Sequence, residues 1–243
     1  MGVFLFIQSK NDATMAAGPT ITVLDISLGA GTGPYNSTAV ASDTFSRVSY
    51  YDSGYTALGF VQCTNITCST STITTVDNTA DVGQYTSLVL GSDGFARISY
   101  YDATNDDLKF VRCADAACTD IPARVITTID STGDVGQYTS LSLDPDTDFA
   151  RISYYDVTNS ALKFVQCTDI TCSTSTITTV DNTGDVGQYT SIDLDFDDFA
   201  RISYYDVTNG NLKFVQCKSD DCVGVENADP LLDTRPAVQT LDS

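Results

Sequence analysis

One chemistry-bearing octet is written four times in this chain. Phe-Ala-Arg-Ile-Ser-Tyr-Tyr-Asp, at 199–206, has near copies around Arg47, Arg97 and Arg151. Arg, Tyr and Asp at close spacing are residue types of sugar hydrolysis. That chemistry needs two carboxylates at a defined separation, and one variant pairs a Tyr nucleophile with Arg clamps. Yet Arg151, Tyr155 and Asp156 have counterparts in every copy, and a single catalytic constellation needs asymmetry. The repetition points instead to a structural use. Arg and Asp would join neighbouring units through charge-assisted hydrogen bonds, and the Tyr rings would pack between sheets. No catalytic residue is assigned, and the expectation is a protein without enzymatic activity.

Two acidic turns could hold a hard cation. Asp144, Asp146 and Asp148 cluster in one, and Asp193, Asp195, Asp197 and Asp198 in the other. Calcium wants several oxygens from a tight turn, so it is the candidate ion. The order does not match an EF-hand loop, and the equivalent turn at 91–94 carries one carboxylate. A solvated acidic turn is the stronger reading, and no cofactor is assigned. A third possibility is a ligand at the centre of the molecule. The turns at 156–159 and the linkers at 181–189 should share one face, where Tyr and Asn beside Asp suit sugar binding.

The eight cysteines form four Cys-x4-Cys pairs, Cys63/Cys68, Cys113/Cys118, Cys167/Cys172 and Cys217/Cys222, at one place in each repeat. Cysteines flanking a tight turn between strands can reach disulfide distance. A metal would need two pairs to converge, and one pair per repeat spreads them apart. Disulfides are expected, each adding about 2 kcal/mol by closing a short loop. They imply an oxidising, extracellular or cell-surface setting, or a hyperthermophilic source. The sequons at Asn36 and Asn65 fit that setting as glycosylation candidates. Asn65, in a Cys turn, should be exposed.

Composition narrows the partners. Lys plus Arg is 12 and Asp plus Glu is 32, a net charge of −20. Nucleic acid and anionic membranes attract basic surfaces, so neither is an expected partner. There is no His, which removes the usual Ser and Cys triads and most zinc sites. The run Val3-Phe-Leu-Phe-Ile7 is too short to span a membrane. Ala-Thr-Met-Ala at 13–16 resembles a signal-peptide cleavage site.

The elements that must position these residues follow from the period. The repeated Arg recurs at spacings of 50, 54 and 50, in the range of stacked repeats. Each unit reads as four strands. In the third, Tyr138–Leu143 precedes the acidic turn, Phe149–Asp156 carries the octet, Leu162–Cys167 follows, and Ile177–Asp181 comes last. The period-2 alternation and the Asn, Gly and Asp turns are hairpin signals. Four antiparallel strands per repeat form a β-propeller blade. The fold class is all-β, a four-bladed propeller, with repeats at about 35–77, 85–130, 138–181 and 189–222. The fourth repeat should lack its last strand, because Asn-Ala-Asp-Pro at 227–230 is not a strand. Thr20–Asp25 matches that strand and would close the ring, within the chain or in a neighbour. Residues 1–19 form an extension able to add a strand to another subunit, and 223–243 an irregular tail.

The string Asp-Val-Gly-Gln-Tyr-Thr-Ser-Leu, followed by Arg-Ile-Ser-Tyr-Tyr-Asp-x-Thr-Asn and Leu-Lys-Phe, resembles repeats of secreted bacterial and archaeal β-propeller proteins. The match covers about 20–222 and implies a fold and an extracellular life, but no defined activity. The turn at 91–95 faintly resembles the Asp-box of sialidase-like propellers, without its aromatic spacing. The first expectation of function is therefore structural: a self-associating surface protein of a filament or layer, its partner a second copy. A carbohydrate-binding or adhesion module comes next, and a secreted glycoside hydrolase third.

Overall fold

The computed structural model describes residues 21–24, 33–196 and 198–223, and the backbone of 237–240. The extension 1–19, Thr20, Asp25 and Asp197 lie outside the described residues. Among the described residues sixteen strands form four antiparallel sheets of four. The first holds β1 (Ser37–Val40), β2 (Ser46–Asp52), β3 (Ala57–Cys63) and β4 (Ser71–Asp77). The second holds β5 (Val82–Leu90), β6 (Ala96–Asp102), β7 (Asp107–Arg112) and β8 (Val125–Asp130). The third holds β9 (Val135–Leu143), β10 (Ala150–Asp156), β11 (Ala161–Cys167) and β12 (Ser175–Asp181). The fourth holds β13 (Val186–Leu194), β14 (Ala200–Asp206), β15 (Asn211–Gln216) and β16 (Ala237–Thr240). Each is a meander, its strands paired in chain order.

The octet makes the central strand of each sheet. On β10, Ile152 and Tyr154 point to one side and Arg151, Ser153 and Tyr155 to the other, and both sides are buried. A strand buried on both faces needs a sheet on each side, and the repeat supplies one. Leu58, Phe60 and Val76 of the first sheet pack with Val82, Leu88, Ile98 and Tyr100 of the second. The same set recurs between second and third, around Leu108 and Phe110, and between third and fourth, around Leu162 and Phe164. The strand β5 packs on β1 and β2, β9 on β5 and β6, and β13 on β9 and β10. The first strands thus gather on the inner side of a propeller-like stack. The blade-to-blade fit is close enough to require glycine at one point. Gly83, Gly136 and Gly187 have φ of +102°, +105° and +108°, and an added Cβ would lie 2.6–2.8 Å from the Cα of Leu58, Leu108 and Leu162.

Buried ion pairs also cross each seam. Lys109, Lys163 and Lys213 reach Asp77, Asp130 and Asp181, the last residues of the preceding sheets, at 2.7, 2.9 and 2.7 Å. Tyr100, Tyr154 and Tyr204 donate to the same three carboxylates. Burial would raise these carboxyls, but the Lys, Tyr and Thr donors outweigh it and hold all three below the usual carboxylate range.

The cysteines are bonded as Cys63–Cys68, Cys113–Cys118, Cys167–Cys172 and Cys217–Cys222. Among the described residues no helix is long and apolar enough to cross a membrane.

The fourth sheet departs from expectation. Its last strand is β16, from within the segment expected to be irregular, pairing Lys213 with Thr240 and Gln216 with Ala237. Ala-Val-Gln-Thr-Leu-Asp at 237–242 has the apolar alternation and final Asp of Thr72–Asp77, but a long insertion after Cys222 separates it from the repeat. Thr20–Asp25 therefore does not complete this sheet. Its described part, 21–24, lies on the first sheet. There Thr22 donates to the Thr67 carbonyl and Leu24 packs near Tyr50, Val61 and Cys63.

Candidate functional site

The inner ends of β5, β9 and β13 begin Val-Gly-Gln-Tyr, and Gly-Pro-Tyr at 33–35 stands just before β1. After the glycine, the strand slips register between Gln84 and Ser87 in β5, and the same irregularity recurs in β9 and β13. The tyrosine two places after the glycine sits in left-handed backbone, with φ of 52° to 54° at Tyr35, Tyr85, Tyr138 and Tyr189. A bulge in a non-glycine left-handed residue re-aims one side chain at local cost. Here it aims four. Their ring centroids follow one another at 4.4, 4.7 and 4.4 Å, a continuous stack along the inner face. A second tyrosine from each octet flanks the stack: Tyr51, Tyr101, Tyr155 and Tyr205 lie 6.0–6.5 Å from it.

Acidic groups stand at the edge of this stack. The linkers between sheets carry Asp81, Asp134 and Asp185, and each backbone N–H donates to a Thr hydroxyl of the next sheet's turn. Their carboxylates accept from Tyr51, Tyr101 and Tyr155 at 2.8, 2.9 and 2.6 Å. Burial and then these carboxylates raise the phenols, Tyr51 to about 12, and Tyr101 and Tyr155 in the same direction. They are therefore hydrogen-bond donors at neutral pH, not phenolate nucleophiles. Desolvation and the neighbouring rings likewise raise Tyr85.

At one place the repetition breaks. The fourth and last residue of the turn between second and third strands is Thr56, Asp106, Ser160 and Gly210 in the four sheets. Only the second sheet puts a carboxylate there. Asp106 is exposed and left-handed at φ 60°, and its carbonyl accepts from Val135, one residue past Asp134. The Tyr101 hydroxyl lies 2.8 Å from Asp106 Oδ1 and 2.9 Å from Asp134 Oδ1. The two carboxylate oxygens can be no farther apart than those two bonds laid end to end. That is an upper bound, and it admits the separation of about 5–5.5 Å at which two carboxylates flank the scissile bond in retaining glycosidases. The adjacent Asp107, present in no other sheet, is raised by burial and by the charges of Asp102, Asp106 and Asp130.

The other candidate residues have different uses. Asp144 and Asp195, proposed calcium ligands, are the ion-pair partners of Arg151 and Arg201. Asp148 accepts from the Ser92 backbone N–H and hydroxyl, and the Asp146 backbone N–H donates back to Asp144. Asp193 is exposed and Asp198 half-buried. Among the described residues no three acidic side chains gather in a way that could hold a metal ion. Contrary to the expectation from the sequence, the Arg residues do not join neighbouring units. Arg47, Arg97, Arg151 and Arg201 pair with Asp43, Asp93, Asp144 and Asp195 of their own sheets. Arg47, Arg151 and Arg201 also donate to the first half-cystine carbonyl of the sheet. They brace each blade internally because each lies beside the acidic hairpin of its own sheet. Asn36 is exposed. Asn65 is half-buried rather than exposed, since its amide donates to Ser69 and Thr70 and accepts from the Ser69 N–H. Asp169 plays that part in the third sheet.

The face shared by the turns at 156–159 and the linkers at 181–189 is the face expected for a ligand. The tyrosine stack and the Asp106/Asp134 pair were not read from the sequence. The pair had a signal: Asn-Asp-Asp at 105–107 stands where the next two sheets have Asn-Ser-Ala and Asn-Gly-Asn.

No protein-family model matches the chain, and no curated protein does. Solved structures resemble its fold. A GH43 β-1,3-galactosidase matches with a TM-score of 0.52 at 10% identity, over 76% of this chain and 43% of that one. An α-L-arabinofuranosidase from Lactobacillus brevis matches with a TM-score of 0.51 at 10% identity, over 85% of this chain and 72% of that one. The chain thus spans less than half of the galactosidase. These likenesses place it in the propeller-like all-β class. They also overturn the expectation of a protein without enzymatic activity. That expectation took blade repetition as a sign against catalysis, yet both neighbours are named as glycosidases, and here the repetition is broken at Asp106.

Proposed function

We propose that this is a secreted, glycan-acting protein of the glycoside hydrolase kind. Its tyrosine-lined inner face would grip a sugar chain, with Asp106 and Asp134 as the working carboxylates. The observation that carries this reading is the Tyr101 hydroxyl between Asp106 and Asp134. Two carboxyl groups within hydrogen-bond reach of one phenol oxygen, beside aromatic faces, supply an acid–base pair and a stacking platform for sugar rings. Tyr101 positions both groups. The four disulfides fit secretion, since such bonds persist in oxidising compartments. The fold neighbours support the substrate class: their names cite galactosides and arabinofuranosides.

A carbohydrate-binding module without hydrolysis is the second reading, favoured by the tyrosine stack itself. The test is incubation of the purified protein with aryl galactosides, aryl arabinofuranosides and soluble plant polysaccharides. Release of product, lost in Asp106→Asn and Asp134→Asn, would establish the hydrolase. Retention on a polysaccharide gel without product, abolished by Tyr85→Ala, would establish the binding module. Neither behaviour on any glycan would overturn both.

A further inference from the structure

The chain carries most of both halves of one more blade-to-blade seam, and among the described residues the halves do not meet. Each internal seam has the same four locks. A leucine sits under a left-handed glycine: Leu58 under Gly83, Leu108 under Gly136, Leu162 under Gly187. A serine hydroxyl on the central strand accepts from a threonine across the seam: Ser49 from Thr86, Ser99 from Thr139, Ser153 from Thr190, at 2.8–2.9 Å. A serine on the first strand accepts a backbone N–H: Ser37 from Leu88, Ser87 from Leu141, Ser140 from Ile192, each at 3.1 Å. A tyrosine hydroxyl then reaches the linker carboxylate.

The open face of the fourth sheet repeats the receiving half. Leu212 stands in the place of Leu58, Leu108 and Leu162, but is 45% exposed where they are 0%. Tyr205 is 37% exposed where Tyr51, Tyr101 and Tyr155 are 5–8%. Ser203 and Ser191 stand in the serine places.

The open face of the first sheet repeats three of the four entering places; Gly31 stands where the other linkers carry Asp81, Asp134 and Asp185. Gly33 has the same φ, +102°, as Gly83, but a Cβ there would meet nothing within 4 Å. Asn36 and Thr38 take the places of Thr86 and Leu88. With Leu24, Val48, Tyr50 and Val61 they line a cleft of about 300 Å³.

We propose that these faces join two copies of this chain head to tail, the fourth sheet of one against the first sheet of the next. Leu212 enters the cleft under Gly33, Ser203 meets Asn36, and Ser191 accepts from the Thr38 N–H. The outer place of the seam is already filled. Thr22 donates to the Thr67 carbonyl at 2.8 Å as Thr74, Thr127 and Thr178 donate to Ala117, Thr171 and Asp221. The incoming sheet therefore lays β13, β14 and β15 on the neighbour and takes residues 21–24 in the place of β16. The contact is heterologous, so its rotation decides between a closed ring and an open chain.

Sedimentation velocity of the full chain over a concentration series tests this. The expected result is species of two or more chains, reverting to monomer in Leu212→Glu with an unchanged melting curve. Asn36→Cys mixed with Ser203→Cys should give a disulfide-linked dimer that neither variant forms alone. Truncation after residue 236 should leave association intact. A monomer at every concentration, with no cross-link in the mixture, would overturn the proposal. So would a cross-link confined to one chain in the double variant, because the two faces would then meet within the chain. Loss of association on truncation would overturn it as well, by making β16 the required strand.

Discussion

Lys213 Nζ lies 2.7 Å from Asp181 Oδ2, across the seam between third and fourth sheets, and 3.5 Å from Asp206 of its own sheet. The two carboxylates share one buried cation, and Tyr204 and Thr183 complete the shell of Asp181. Removing the cation would strand two buried negative charges. Lys213→Met should destabilise the fold by about 3–5 kcal/mol, read as a fall in the urea midpoint. Adding Asp181→Asn to that variant should recover part of the loss.

The same seams set an acid limit. Asp77, Asp130 and Asp181 have folded pKa values below the ordinary carboxylate value, which is near 3.9. Their contribution is fully present above that value and is lost as pH falls through it toward the folded values. Lys163 is shifted the other way. Burial lowers it, but Asp130 and Asp156 outweigh burial and raise it, so its contribution is lost only in strong alkali, as pH rises through the folded value. Thermal melting should be flat from about pH 5 to pH 9 and fall below about pH 4. A melting temperature that stays level to pH 2 would contradict the ion-pair account.

Asp106 and Asp134 should separate activity from stability. Asp106 is exposed, so Asp106→Asn should leave the melting curve within about 0.5 kcal/mol of wild type. Loss of a positioned acid–base carboxylate costs about 10²–10⁴ in rate. Turnover of the aryl glycoside should fall by that factor. Tyr101→Phe should lower it less and shift its pH profile, because the phenol positions both groups without reacting.

Gly136 is held at φ +105° with Leu108 backbone under it. Gly136→Ala would add both left-handed strain and an overlap with that backbone, and should cost more than about 1 kcal/mol. Gly33→Ala carries the strain alone and should cost less. Urea denaturation of both variants measures the difference.

Much of this could be read from the chain itself. A period near fifty, alternation at Arg-Ile-Ser-Tyr-Tyr-Asp and turn residues at fixed offsets require four-stranded antiparallel units. One Cys-x4-Cys turn per unit requires four local disulfides. These are local signals, repeated until they are unambiguous. What escaped was non-local. The strand β16 lies beyond an insertion with its own prolines, so no period leads to it. Arg151 looked like a cross-blade clamp because its reach along the strand cannot be read from spacing. The Tyr101, Asp106 and Asp134 cluster draws on one strand, the turn after it and the linker to the next sheet.

The repeating unit, its strands, its turns and its disulfides are written in the chain, because each depends on residues a few positions apart. What the repeats do together is settled by how the sheets stack. Stacking the sheets turned four equivalent tyrosines into one aromatic surface. It buried Lys beside the preceding sheet's Asp, and it brought Asp106 next to Asp134. The reason is physical: the faces of a sheet acquire their chemistry from the sheet packed against them, and that neighbour lies some fifty residues away.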